Sequence, residues 1–156
     1  MVIGAVAGLL GAAAMTAFMN RRHSQLPPAE RYPAPPREIV GKVLAAAGVE
    51  EGRCLADASL AAHGLYGAAG GLVLAAIDEE PSLAKGSTFG LLVWAASYLG
   101  WIPALSILAP ATRHPPRRNA MMIESHLVWG AITAMILKEV LAARKGLLSA
   151  GPLKDG

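Results

Sequence analysis

Four long apolar stretches, each carrying few charges, constrain this chain more than any other feature. They run over about Val2–Met19, Leu55–Ile77, Gly86–Leu108 and Ala120–Ala143. Each approaches or exceeds the roughly 20 residues that cross a bilayer as a helix, the first being short enough to call for tilt or local thinning. Helix is the state that satisfies every backbone N–H and C=O where no water reaches them. A soluble bundle would spread its charges over every helix, whereas here only 16% of residues are charged and they gather in patches. The expectation is an all-α fold: one membrane domain over 1–156, built as a bundle of four transmembrane helices.

The connections set the orientation. The first loop, 20–54, carries Arg21, Arg22, Arg31, Arg37, Lys42 and Arg53, and the basic loop 110–119 carries Arg113, Arg117 and Arg118. The second connection, from Asp78 to Lys85, is acidic, and the C-terminal part carries Lys138, Arg144, Lys145 and Lys154. Placing the first and third loops inside puts nine Lys/Arg there against five outside. The positive-inside rule then exports both termini, to the periplasm of a bacterium. Arg21 and Arg22 follow the first apolar run where a secretory signal would place charge before it, so the run is expected to be a retained helix. Basic residues in such loops explain the net charge of +3 without nucleic acid, and no aromatic-interleaved basic stripe is present. Arg21, Arg22, Arg113, Arg117 and Arg118 are candidate contacts for anionic lipid head groups.

Prolines at 27, 28, 33, 35 and 36 keep the start of the first loop extended. Helical spacing then resumes over about 37–47, with Ile39, Val40, Val43, Leu44 and Ala47 on one face and Gly48 as a stop. This predicts a short helix lying on the membrane surface or packed on the ends of the spans.

The pattern His-x-x-aromatic-Gly-Ala occurs twice, at His63–Ala68 and His126–Ala131. A histidine at membrane depth is costly and must face something. Each half of the chain reads as an apolar span, a Pro/Arg loop and a span bearing this pattern, which makes two parallel helix-pair repeats. Residues four apart share a helix face. That groups Gly4, Gly8, Ala12 and Thr16; Ser59, His63, Gly67, Gly71 and Ala75; and Met122, His126, Gly130 and Ala134. Stripes of small residues let helices approach closely, with Gly4, Gly8, Gly67, Gly71 and Gly130 as the packing positions. Both histidines therefore face another helix. They lie about eight and six residues into their spans, at similar depth. Three roles stay open: hydrogen bonds across a helix interface; paired axial ligands to haem or another tetrapyrrole; and a proton or ion path with Asp57 and Glu124, as in a small transporter.

The layout is similar to the YagU-like and related families of small bacterial membrane proteins. Leu26-Pro27-Pro28, Pro35-Pro36-Arg37-Glu38-Ile39, Trp101-Ile102-Pro103 and Ser125-His126-Leu127-Val128-Trp129-Gly130 carry the resemblance. It implies a helical protein of the bacterial inner membrane and supplies no catalytic residues.

Catalytic motifs are missing from the sequence: no His-Glu-x-x-His, P-loop or glycine-rich dinucleotide turn. Ser59 and His63 lie one turn apart, but Asp57 falls on another face, so a triad does not form within that helix. The lone Cys54 builds neither a disulfide framework nor a metal site. The leading expectation is a non-catalytic accessory or scaffold subunit that associates with other membrane proteins, or with itself, through its small-residue faces. A haem- or pigment-binding module using His63 and His126, or a small proton or solute transporter, is the alternative.

Overall fold

In the computed structural model, which describes residues 2–49, 52 and 54–147, the chain is all-helical, with no strand among the described residues. Arg53 and Lys154, counted above for orientation, lie outside them. The helices are α1 (Val2–His23), α2 (Pro35–Ala46), α3 (Leu55–Ile77), α4 (Leu83–Ala95), a single turn α5 (Ile102–Ala104) and α6 (Pro116–Leu147). Short 3₁₀ turns sit at Pro28–Glu30 and Ala111–Arg113.

Three helices are long and apolar enough to cross a membrane: Val2–His23, Leu55–Ile77 and Pro116–Gly146. The third expected stretch is helical from residue 83 to 104 but in pieces. After Ala95 the chain passes into a π-helical segment, Ala96–Trp101, and Gly100 leaves helical geometry at φ −110° and ψ −108°. Pro103 is the local cause. It has no N–H to offer the carbonyl four residues back and its ring crowds that carbonyl, so the Ile102 N–H reaches Ser97 O, five residues back, instead. Here the helix also ends four residues before the expected Leu108.

The helix ends follow local chemistry. Arg21, Arg22 and His23 extend α1 one turn past the expected Met19 and sit at its negative dipole end. Pro35 and Pro36 open α2 at the positions where a missing N–H costs nothing. At its other end the Val49 N–H bonds Leu44 O and the Gly48 N–H bonds Ala45 O, with Gly48 at φ +73°, which is a Schellman stop. The Ser82 hydroxyl accepts the Lys85 N–H and starts α4 one turn before the expected Gly86.

Packing runs in a row. α1 lies between α3 and α6, antiparallel to both, and α6 carries α4 on its far side; α3 and α4 scarcely touch. Glycine sets both outer interfaces. A methyl group at Gly8 would collide with the Gly67 carbonyl, and one at Gly67 would stand 2.6 Å from the Ala12 Cβ. A methyl at Gly4 would lie 2.7 Å from the Gly71 carbonyl oxygen, and one at Gly71 would strike the Gly4 carbonyl. Between α4 and α6, Gly86 abuts the Gly130 carbonyl and Gly90 the His126 carbonyl. All five expected packing glycines thus join helices of this one chain. Gly86 and Gly90 do the same work and were not singled out, although their four-residue spacing is plain in the sequence.

Many buried residues are small or flexible, among them Ala7, Ala12, Met15, Leu74, Met121, Met122 and Ala134, with Tyr98, Ile102 and Trp129 as the larger ones. The outward faces are apolar as well, with Leu9, Leu10, Leu60, Leu65, Val73, Ile77, Leu92 and Leu99 all exposed. α2 is set against α3 and the bundle: Ile39 packs on the core cluster around Met19, Tyr98 and Ile102, while Val43 stays exposed.

Candidate functional site

Because α3 and α4 diverge, a cavity of about 220 Å³ opens between them. Its floor is Ala12, Met15 and Met19 of α1 with Met122 and Trp129 of α6. One wall is Ser59, His63 and Tyr66 of α3; the other is Ser97, Tyr98 and Trp101 of the π-helical segment. Pro36, Ile39 and Val40 of α2 close the end nearest the basic loops. The lining is mostly carbon, as small-molecule sites are, with a few polar groups placed among it.

Both histidines of the repeated pattern line this cavity. They do not occupy equivalent bonds. The His63 Nδ1 lies 3.1 Å from Thr16 Oγ1 of α1, a bond across a helix interface. The His126 Nδ1 lies 2.8 Å from the Met122 carbonyl of its own helix, and the ring meets Tyr98 edge-on at 6.0 Å. The aromatic positions of the two patterns diverge too. Trp129 is buried and donates its indole N–H to Gly8 O at 3.1 Å. Tyr66 reaches across the gap, its hydroxyl 2.8 Å from Ser97 Oγ, and its ring lies 6.3 Å from that of Trp101. Tyr66 and Trp101 are 46% and 39% exposed and form the lip of the cavity toward the apolar exterior. Of these residues Ser97 and Tyr98 were not foreseen as a site; the π-helical turn that presents them has no periodic signature.

The two carboxylates named for a proton path, Asp57 and Glu124, do not line the cavity. Glu124 is chelated by Arg22, at 2.9 Å from Nε and 3.2 Å from Nη2, and Asp57 is exposed in the first turn of α3. The Ser59 hydroxyl donates to Leu55 O at 2.5 Å. Among the described residues no group of three His, Cys, Asp or Glu side chains could hold a metal ion, and Cys54 is exposed.

The basic cluster needs a correction. Arg21, Arg113 and Arg117 are exposed and Arg22 is half-buried against Glu124. Arg118, however, is 2% exposed and cannot meet a head group. Its guanidinium donates to Tyr32 O at 3.1 Å and Pro33 O at 2.8 Å and pairs with Glu38 at 3.0 Å. It also stacks 3.6 Å over the Tyr32 ring. The Tyr32 hydroxyl donates in turn to His114 Nδ1 at 3.1 Å, because His114 Nε2 is turned to Ala109 O. Burial raises the Tyr32 phenol above its ordinary value, with Arg118 pulling the other way. This cluster ties the proline-rich part of the first loop, and through Glu38 the α2 cap, to the start of α6.

No protein-family model, no curated protein and no solved structure matches this chain.

Proposed function

We propose that the protein is a non-catalytic, multi-pass protein of the bacterial inner membrane that binds a lipid-soluble small molecule in the cavity between α3 and α4. One observation carries this reading: an apolar cavity lined by two histidines, its lip at Tyr66 and Trp101 open to an exterior that is itself apolar. A ligand entering there comes from the lipid phase. In this reading α1, α3, α4 with α5, and α6 are four passes, α2 sits at the inner interface, and both termini are outside. The matching contacts of Gly8 with Gly67 and Gly86 with Gly130 support two parallel helix-pair repeats, and a kinship with the YagU-like families is part of the same proposal. The exposed Arg21, Arg113 and Arg117 are placed to meet anionic head groups at the end that α2 caps.

Association through small-residue faces has less support, because those faces are consumed between helices of the same chain. A proton path has less support as well, since no carboxylate among the described residues lines the cavity. The test is native mass spectrometry of the full chain released from mild detergent or nanodiscs, with organic extraction of what it carries. A stoichiometric lipophilic compound is expected, and lost in Ala62→Phe, which fills the lip from an exposed position. A protein that carries nothing and takes up no apolar probe sinks the reading.

A further inference from the structure

Hydrogen-bond direction fixes what the two imidazoles offer the cavity. The Met122 carbonyl can only accept, so His126 Nδ1 carries the proton and donates at 2.8 Å. The Thr16 hydroxyl donates to Ala12 O at 2.8 Å. It therefore accepts from His63, whose Nδ1 carries the proton too. With both rings neutral, Nε2 is then a bare acceptor in each. Neither Nε2 has a hydrogen-bond partner among the described residues. His126 is 7% exposed and lines the cavity, as His63 does.

An acceptor held in an apolar cavity without a donor is unfavourable, and two of them fix a chemical demand. Among the aliphatic and methionine side chains of the lining stand the rings of Tyr66, Tyr98, Trp101 and Trp129, which favour a flat aromatic partner. At about 220 Å³ the cavity falls below the roughly 300–1,000 Å³ of sites for drug-sized ligands. It holds one ring and leaves any tail to exit past Tyr66 and Trp101. A tetrapyrrole, larger than such ligands, does not fit this volume.

We infer that the cavity receives the head group of a lipid-soluble quinol, an aromatic ring with two hydroxyls, one donated to Nε2 of His63 and the other to Nε2 of His126. This rests on the cavity being a ligand site and names what it selects. The oxidised quinone presents two carbonyl acceptors to two imidazole acceptors, so the site discriminates between the two forms of the carrier.

The test uses the full-length protein in nanodiscs under anaerobic conditions. Affinities are measured by tryptophan fluorescence for a decyl-substituted benzoquinol, its quinone and its dimethyl ether. The quinol is expected to bind about tenfold or more tighter than the ether, which keeps ring and size and lacks only the donors. His63→Leu and His126→Leu should each weaken the quinol about tenfold and leave the ether unchanged. Thr16→Val, which frees the His63 ring without removing it, should weaken the quinol alone. Circular dichroism identifies any variant that fails to fold, and the quinol-to-ether ratio of the unaltered protein decides the matter without variants. Equal affinities for quinol and ether overturn the inference and leave the lipophilic site standing. Failure of all three compounds to bind overturns both. A Soret band in the purified protein, abolished in either histidine variant, overturns the quinol in favour of a tetrapyrrole.

Discussion

The indole N–H of Trp129 donates to the Gly8 carbonyl, 3.1 Å away across the interface of α6 and α1. Gly8 is at the same time pressed against Gly67 of α3. One tryptophan thus fastens α6 at a close contact of α1 with α3, and its ring occupies the space that a side chain at Gly70 would need. Trp129→Phe keeps most of the ring and loses the bond. The variant should be less stable by about 1 kcal/mol, read as a lower unfolding temperature by circular dichroism in detergent. An unchanged transition would mean that the bond contributes nothing.

Gly8→Ala tests the close approach itself. The added methyl would overlap the Gly67 carbonyl and lie 2.8 Å from the Gly71 Cα, both backbone groups that cannot swing away. α1 and α3 must separate, at a cost of about 1–3 kcal/mol. Gly146→Ala, where an added Cβ meets nothing within 4 Å, should shift stability the other way by up to about 1 kcal/mol through helix propensity. If the two variants unfold alike, close glycine packing is not what joins these helices.

Much of this architecture is legible in the residues. Apolar length, interrupted only by Asp57 in the first turn, locates α3 at its observed bounds, because length and composition decide where a helix can lie in lipid. The inward turn of His63 and His126 is legible for the same reason: polarity on a small-residue face has nowhere else to go. The divergence of α3 from α4, and hence the cavity, is not. It depends on which of several apolar faces meet, and Leu, Ala and Gly occur on all of them. Arg118 is equally opaque. It stands beside Arg117 in a basic loop, and only the folding back of Tyr32 and Glu38 onto it distinguishes a buried clasp from a solvated charge.

That clasp can be tested. Arg118→Met leaves Glu38 and the carbonyls of Tyr32 and Pro33 without their donor. Removing one partner of a buried pair should cost about 3 kcal/mol. Arg118→Lys should recover little, since an ammonium cannot serve three acceptors in a plane and stack on a ring. Limited proteolysis within residues 24–34 is the local readout: faster cleavage in both variants is expected, and cleavage at the original rate would show that the loop is held by something else.

Ser106 holds φ +56°, the only non-glycine residue with positive φ among those described. It ends α5 in the place glycine usually takes, with the Ile107 N–H on Ile102 O and its own N–H on Pro103 O. A side chain in this conformation costs about 1–2 kcal/mol, part of which glycine returns as lost chain entropy. Ser106→Gly should therefore stabilise the protein by about 0.5–1 kcal/mol, measured by thermal unfolding; destabilisation would indicate an unrecognised role for the hydroxyl.

At the opposite end of the bundle, acid should loosen the connection between α3 and α4. The hydrogen bond from Lys85 and the backbone N–H of Glu80 hold the Asp78 carboxyl below its ordinary value of 3.8. Lys145 likewise holds Glu80 below 4.5. A carboxyl with a lowered folded-state value contributes stability above its unfolded value and loses it as pH falls through the folded one. The contribution is therefore complete above about pH 5 and fades below pH 4. Glu80 is exposed and Asp78 is half-buried at the surface, so the effect is small and weakened by salt. Hydrogen-exchange protection of residues 138–147, corrected for the intrinsic pH dependence of exchange, should fall on acidification through that window at low salt, less so at high salt. Glu80→Gln should remove the part of that response due to the Lys145 pair. If the variant keeps the full pH response, the ion pair does not hold the end of α6 against this loop.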